Sequence, residues 1–66
     1  MQIQVNGEPF DAGECVNLAE LVNRLGLAGK RIAIELNMEI VPRSEHDKTE
    51  LKAGDRVEVV HAIGGG

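Results

Sequence analysis

Val16-Asn17-Leu18-Ala19-Glu20-Leu21-Val22-Asn23-Arg24-Leu25-Gly26 is the stretch on which the fold turns, because it carries a helical period between segments that alternate like strands. Asn17 offers a side-chain oxygen to the first turn, Glu20 follows three residues on as in a capping box, and Val16 is placed to reach Leu21 as a hydrophobic staple. Leu18, Leu21, Val22 and Leu25 fall at i, i+3, i+4 and i+7, one apolar stripe, while Glu20, Asn23 and Arg24 face water. Gly26 occupies the position at which helices end in left-handed backbone. A helix of about two to three turns melts when isolated, so the leucine stripe has to be covered by a sheet.

Strands lie on both sides of it. Met1, Ile3 and Val5 alternate with Gln2 and Gln4, and Asn6-Gly7 suits the positive φ angles of a tight hairpin turn. The returning segment, Glu8 to Asp11, contains Pro9, which donates no backbone hydrogen bond and so predicts a sheet edge. Ile32, Ile34 and Leu36 alternate with Ala33 and Glu35; after a turn at Asn37-Met38, Glu39 to Val41 runs back and stops at Pro42. Ser44 to Leu51 reads as a polar loop with one short helical turn capped by Ser44 and anchored by Leu51, and Lys52-Ala53-Gly54-Asp55 as a turn. The last strand, Arg56 to Ile63, puts Val57, Val59, His61 and Ile63 on the core face and Arg56, Glu58, Val60 and Ala62 on the other. The fold class is therefore α+β, one helix on one face of a four- to five-stranded sheet. Alternation does not fix the strand order.

Sixty-six residues enclose a single small core, and deep multi-walled active sites are not expected of it. The aromatic content of 2% argues against stacking on nucleobases, and a net charge of −4 repels phosphate backbones and anionic membranes while suiting a basic protein partner. A single cysteine, Cys15, cannot form an internal disulfide, so a cytoplasmic protein is expected. No export signal, membrane span, phosphate-binding glycine loop or Cys-His metal spacing is visible.

The chain finishes on Gly64-Gly65-Gly66, directly after an apolar strand. Three glycines cannot pack, so they make no sense as a stabilising element. They make sense as a probe that reaches about 10 Å past the sheet and carries the terminal carboxylate into another protein's cleft. Without side chains the backbone slides through a narrow channel. The unhindered carboxyl carbon is open to a nucleophile once activated as an acyl-adenylate. A frayed end is the plain alternative. The division this predicts is a domain over 1–63 and a tail over 64–66.

These residues resemble the ThiS family, sulfur carriers of thiamine thiazole biosynthesis within the ubiquitin-like β-grasp superfamily. The resemblance spans the chain. It rests on its length, Met1-Gln2-Ile3 with Asn6-Gly7, Leu18-Ala19-Glu20-Leu21, Glu39-Ile40-Val41-Pro42-Arg43, Leu51-Lys52-Ala53-Gly54-Asp55-Arg56-Val57-Glu58 and Ala62-Ile63-Gly64-Gly65-Gly66. The final Gly-Gly is common to the superfamily, while the Val41-Pro42-Arg43 step with the Gly54-Asp55 turn narrows it. Where many members have an aromatic residue after the arginine, this chain has His46.

The resemblance implies a carrier with no catalytic group and no bound cofactor. An E1-like (ThiF-like) partner would consume ATP and Mg to adenylate Gly66, and a sulfur donor such as a cysteine desulfurase system would convert the adenylate to a thiocarboxylate. Thiazole synthase (ThiG-like) would then use the sulfur. Gly65 and Gly64 would thread the partners' clefts. Rival readings are the molybdopterin synthase small subunit, which usually has an aromatic-proline element that Val59-Val60-His61-Ala62 lacks, a ubiquitin-like protein modifier, and a non-covalent binding module with an inert tail.

Other residues admit plain readings. Cys15 is expected as buried filler rather than a persulfide relay. His61 is expected partly buried and hydrogen-bonded, and His46, between Glu45 and Asp47, as part of a solvated loop rather than a metal site. Arg43 is expected to contact the neighbouring loop. Ile40, Val60 and Ala62 are candidates for an apolar strip on the open face, with Glu39, Asp55 and Glu58 steering a basic partner.

Overall fold

The computed structural model describes residues 1–61. Five strands, β1 (Gln2–Val5), β2 (Glu8–Asp11), β3 (Ile32–Leu36), β4 (Glu39–Val41) and β5 (Arg56–His61), form one sheet in the order β2-β1-β5-β3-β4, and the helix α1 (Leu18–Arg24) crosses one face. β1 and β5 are parallel; every other pairing is antiparallel. This is the β-grasp arrangement. The Pro9 strand, β2, is at an edge, as its missing donor requires.

The capping signals around α1 hold with two changes. Asn17 accepts from the Glu20 N–H at 2.9 Å, but the Glu20 carboxylate reaches back to the Val16 N–H at 2.8 Å, one residue beyond the cap. Val16 is 58% exposed, so the expected staple to Leu21 is not made: bonding of its N–H to Glu20 and of its carbonyl to the Leu51 N–H fixes the chain with the side chain outward. At the other end the Gly26 N–H bonds to the Asn23 carbonyl and the Leu27 N–H to that of Val22, the paired bonds of a Schellman stop, with Gly26 at φ 74°.

The stripe buries as the spacing predicts. Leu18, Leu21 and Val22 pack with Ile3, Ile34 and Val57 from the central strands and with Ala12, Cys15 and Leu51 from the connections; Leu25 is half-buried at the margin. Cys15 is thus core filler with a free thiol. Near the first hairpin, Asp11 accepts from the Gly13 N–H at 2.8 Å and pairs with the N-terminal ammonium at 3.5 Å. The Gly13 bond first, and the ammonium next, hold its carboxyl below the ordinary value.

The segment after Pro42 departs from expectation. It is a 3₁₀ helix over Arg43–Lys48, longer than one turn, and its cap position is Pro42 with no side-chain cap, so Ser44 does not cap it. Its stability comes from tertiary contact: Leu18 N–H donates to the Thr49 carbonyl at 3.0 Å and the Asn17 amide to the Asp47 carbonyl at 3.2 Å. Within it His46, expected in solvent, is only 7% exposed; Nε2–H donates to the Val41 carbonyl at 3.0 Å. His46→Phe should keep the packing and lose only that bond, costing about 1 kcal/mol, whereas His46→Ala should cost about 2–3 kcal/mol through an added cavity. Denaturant melts that rank the two equally would refute the packing role.

Both hairpin turns use paired left-handed residues, the geometry that matches strand twist. Asn6 and Gly7 have φ 52° and 83°; Asn37 and Met38 have φ 52° and 73°. Met38 is 81% exposed and holds a conformation that strains any residue with a Cβ. Met38→Gly should therefore stabilise the domain by about 0.5–1 kcal/mol, a rise in Tm of about 3–6 °C. A lowered Tm on thermal unfolding would contradict the strain argument.

Candidate functional site

β5 is the strand from which the chain continues into residues 62–66, and it lies between β1 and β3. Its register with β3 runs from Leu36↔Val57 to Ile32↔His61. Beyond Val57 the β1 side opens, because the first hairpin turns away at Asn6. The Asn6 N–H donates to the Val57 carbonyl at 2.8 Å, and its side-chain oxygen accepts from the Val59 N–H at 2.7 Å. A side chain thus substitutes for the missing stretch of strand.

Burial fades along the helix-facing side of β5: Val57 is buried, Val59 half-buried and His61 exposed. The expectation that His61 would be partly buried is corrected here. Seven residues of helix span about 10 Å, while the six of β5 span roughly 20 Å, so α1 cannot cover the strand's end.

On the open face, Ile40 is 72% and Val60 57% exposed. They occupy neighbouring rows rather than one: Ile40 pairs with Glu35, which pairs with Glu58, and Val60 pairs with Ala33. Glu35 and Glu58 therefore stand directly opposite each other, a like-charge contact that costs stability. The face is apolar and acidic together. Asp55 is not a free steering charge, since its carboxylate accepts from the Lys52 N–H at 2.7 Å and the Asn37 amide at 3.1 Å, building the turn into β5. Ala62, Gly64, Gly65 and Gly66 lie outside the described residues.

Two features were missed in the sequence. Met38 borders a shallow cleft of about 280 Å³ with Gln4, Asn6, Arg56 and Glu58; the unfavourable backbone of a Met in a hairpin turn was the available signal. A second, more open hollow of about 250 Å³ lies between α1 and the 3₁₀ helix, bordered by Val22, Asn23, Ile32, Arg43, His46 and Asp47. There Arg43 makes its expected loop contact, Nη2–H to the Lys30 carbonyl at 2.6 Å. Among the described residues no three His, Cys, Asp or Glu side chains gather as a metal site, and no helix is long and apolar enough to cross a membrane.

Known proteins share both pattern and fold. The ThiS family model matches residues 3–66. A crystal structure of the thiamine biosynthesis protein ThiS from Geobacter metallireducens superposes with a TM-score of 0.85 at 36% identity, covering all of both chains. An uncharacterized protein, ycf40, of Porphyra purpurea is 39% identical over the whole chain and 93% of its own length. A thiazole synthase of Magnetococcus marinus is 41% identical over the whole chain, which spans 20% of that longer protein. With the family pattern running from Ile3 to Gly66 and the same helix-on-sheet architecture beneath it, this chain belongs to the ThiS family.

Proposed function

We propose that the protein is the sulfur carrier of thiazole formation in thiamine biosynthesis, a cosubstrate with no catalytic group of its own. The observation that carries the reading is the family match, which continues through Gly64 and Gly65 to Gly66. It gains support from thiazole synthases of Magnetococcus marinus and Paramagnetospirillum magneticum, each a longer protein of which one fifth resembles this whole chain.

The chemistry follows from the tail. A free carboxylate is a poor electrophile, so an E1-like partner joins the Gly66 carboxylate to the α-phosphate of ATP, with Mg in the partner's site, and pyrophosphate leaves. The persulfide of a donor such as a cysteine desulfurase system attacks the acyl carbon and AMP departs; a thiol then cleaves the S–S bond of the acyl disulfide, leaving the thiocarboxylate and a new disulfide on the donor side. Thiazole synthase takes the sulfur and the carboxylate is regenerated. The open face with Ile40 and Val60 is the docking surface, and Gly64 and Gly65 pass through the cleft without a Cβ to obstruct them.

Intact-mass spectrometry tests this directly. With the adenylating enzyme, ATP and a sulfur source, the intact protein should gain the mass difference between sulfur and oxygen. An unchanged mass, in a mixture that charges another carrier, would reject the proposal.

A further inference from the structure

The chain is acidic, yet its cations are not spread evenly. Lys30, Arg31 and Arg43, three of the seven Lys and Arg residues, meet at one end of the sheet together with His61. The register places them there. Ile32↔His61 is the last pair between β3 and β5, and Lys30 and Arg31 immediately precede Ile32. Ile34 pairs with Val41, after which the chain runs through Pro42 to Arg43, whose guanidinium is fastened to the Lys30 carbonyl. From His61 the chain continues into residues 62–66.

All four residues are exposed. Among the described residues the ion pair present is that of the N-terminus with Asp11, so none of Lys30, Arg31 and Arg43 is paired with a carboxylate there. Acids on the 3₁₀ helix lie close by in the fold: Asp47 borders the same hollow as Arg43, and Glu45 lies on the same element. Elsewhere acids outnumber cations, with Glu35 opposite Glu58 in mid-sheet and Glu39 following the β3–β4 turn at the far end.

We infer that this cationic collar recognises a carboxylate-rimmed mouth on the enzyme cleft that receives the tail; the inference rests on the carrier reading. Five residues, 62–66, span at most roughly 17 Å. With Gly66 at the reacting centre, the collar therefore stands at the cleft entrance and meets protein side chains rather than the nucleotide phosphates. Cations gathered beside the tail also orient the carrier during approach, which acts on association rate more than on final affinity.

The test compares Arg31→Glu with Lys52→Glu, an equal charge change in the turn at the far end of β5, as substrates of the adenylating enzyme from the same organism. Circular dichroism melts check that both fold. Arg31→Glu should lower kcat/KM about tenfold at low ionic strength, through KM, and Lys30→Glu with Arg31→Glu should lower it further; Lys52→Glu should stay within about twofold. The deficit should shrink towards 1 M salt, where the screening length is about 3 Å. Equal behaviour of Arg31→Glu and Lys52→Glu, or a deficit indifferent to salt, overturns the inference while leaving the carrier reading intact. A wild-type protein that never gains sulfur overturns both.

Discussion

Removing Gly65 and Gly66 is expected to abolish thiocarboxylate formation and thiazole synthesis completely while leaving the melting temperature unchanged. The two halves of this expectation have separate origins. Stability resides in a core whose buried apolar members, among the described residues, run from Ile3 to Leu51 and Val57. The chemistry resides at one carbon atom, and shortening the tail withdraws that atom from the partner's site; misplacement by even about 1 Å can cost a hundredfold in rate. Mass spectrometry and growth without thiazole read the first half, and a thermal melt reads the second. A shortened chain that still supports growth would refute the tail as the sulfur-bearing end. Such a result would favour a binding module, whereas high-mass conjugates that vanish on truncation would favour a protein modifier.

Leu21→Ala should have the largest effect on stability. Leu21 is fully buried between α1 and the sheet, and a Leu-to-Ala change of this kind costs about 3 kcal/mol through lost burial and a residual cavity. For a chain of 66 residues the whole stability is roughly 3–10 kcal/mol. The variant should therefore melt about 12–24 °C lower. Val60→Ala is the counterpart: more than half exposed, it should leave the melt within about 0.5 kcal/mol while weakening partner binding. A Leu21→Ala protein as stable as its parent would contradict the placement of α1 on the sheet.

What could be read from the sequence was what local chemistry decides. Asn17 and Glu20 at one end and Gly26 at the other delimit α1 because caps and left-handed stops act within a few residues, and Asn6-Gly7 announces its turn for the same reason. Parity along β5 assigned Val57 inward and Val60 outward correctly. It misjudged His61 because alternation tells which way a side chain points, not whether anything lies above it. His46 was misplaced for a related reason: its polar neighbours Glu45 and Asp47 suggest a solvated loop, but the Val41 carbonyl and the tethering of the 3₁₀ helix to α1 draw the ring inward. The order β2-β1-β5-β3-β4 was not legible, since the parallel pairing of Gln4 with Arg56 joins segments that no short-range signal relates. The pairings of β3 with β5 and with β4 likewise bring Lys30 and Arg31 together with Arg43 and His61, which lie apart in the linear chain.

The central position of β5 also bears on how the protein is made. The hairpin of β1 and β2 and that of β3 and β4 share no strand pairing; both are joined through β5, which follows the other four strands in chain order. A nascent chain cut short before Arg56 would present two unjoined hairpins with bare flanks, a ready substrate for proteases. Degradation would thus clear abortive products, and the surviving population would consist of molecules that have synthesised the strand leading to the glycines.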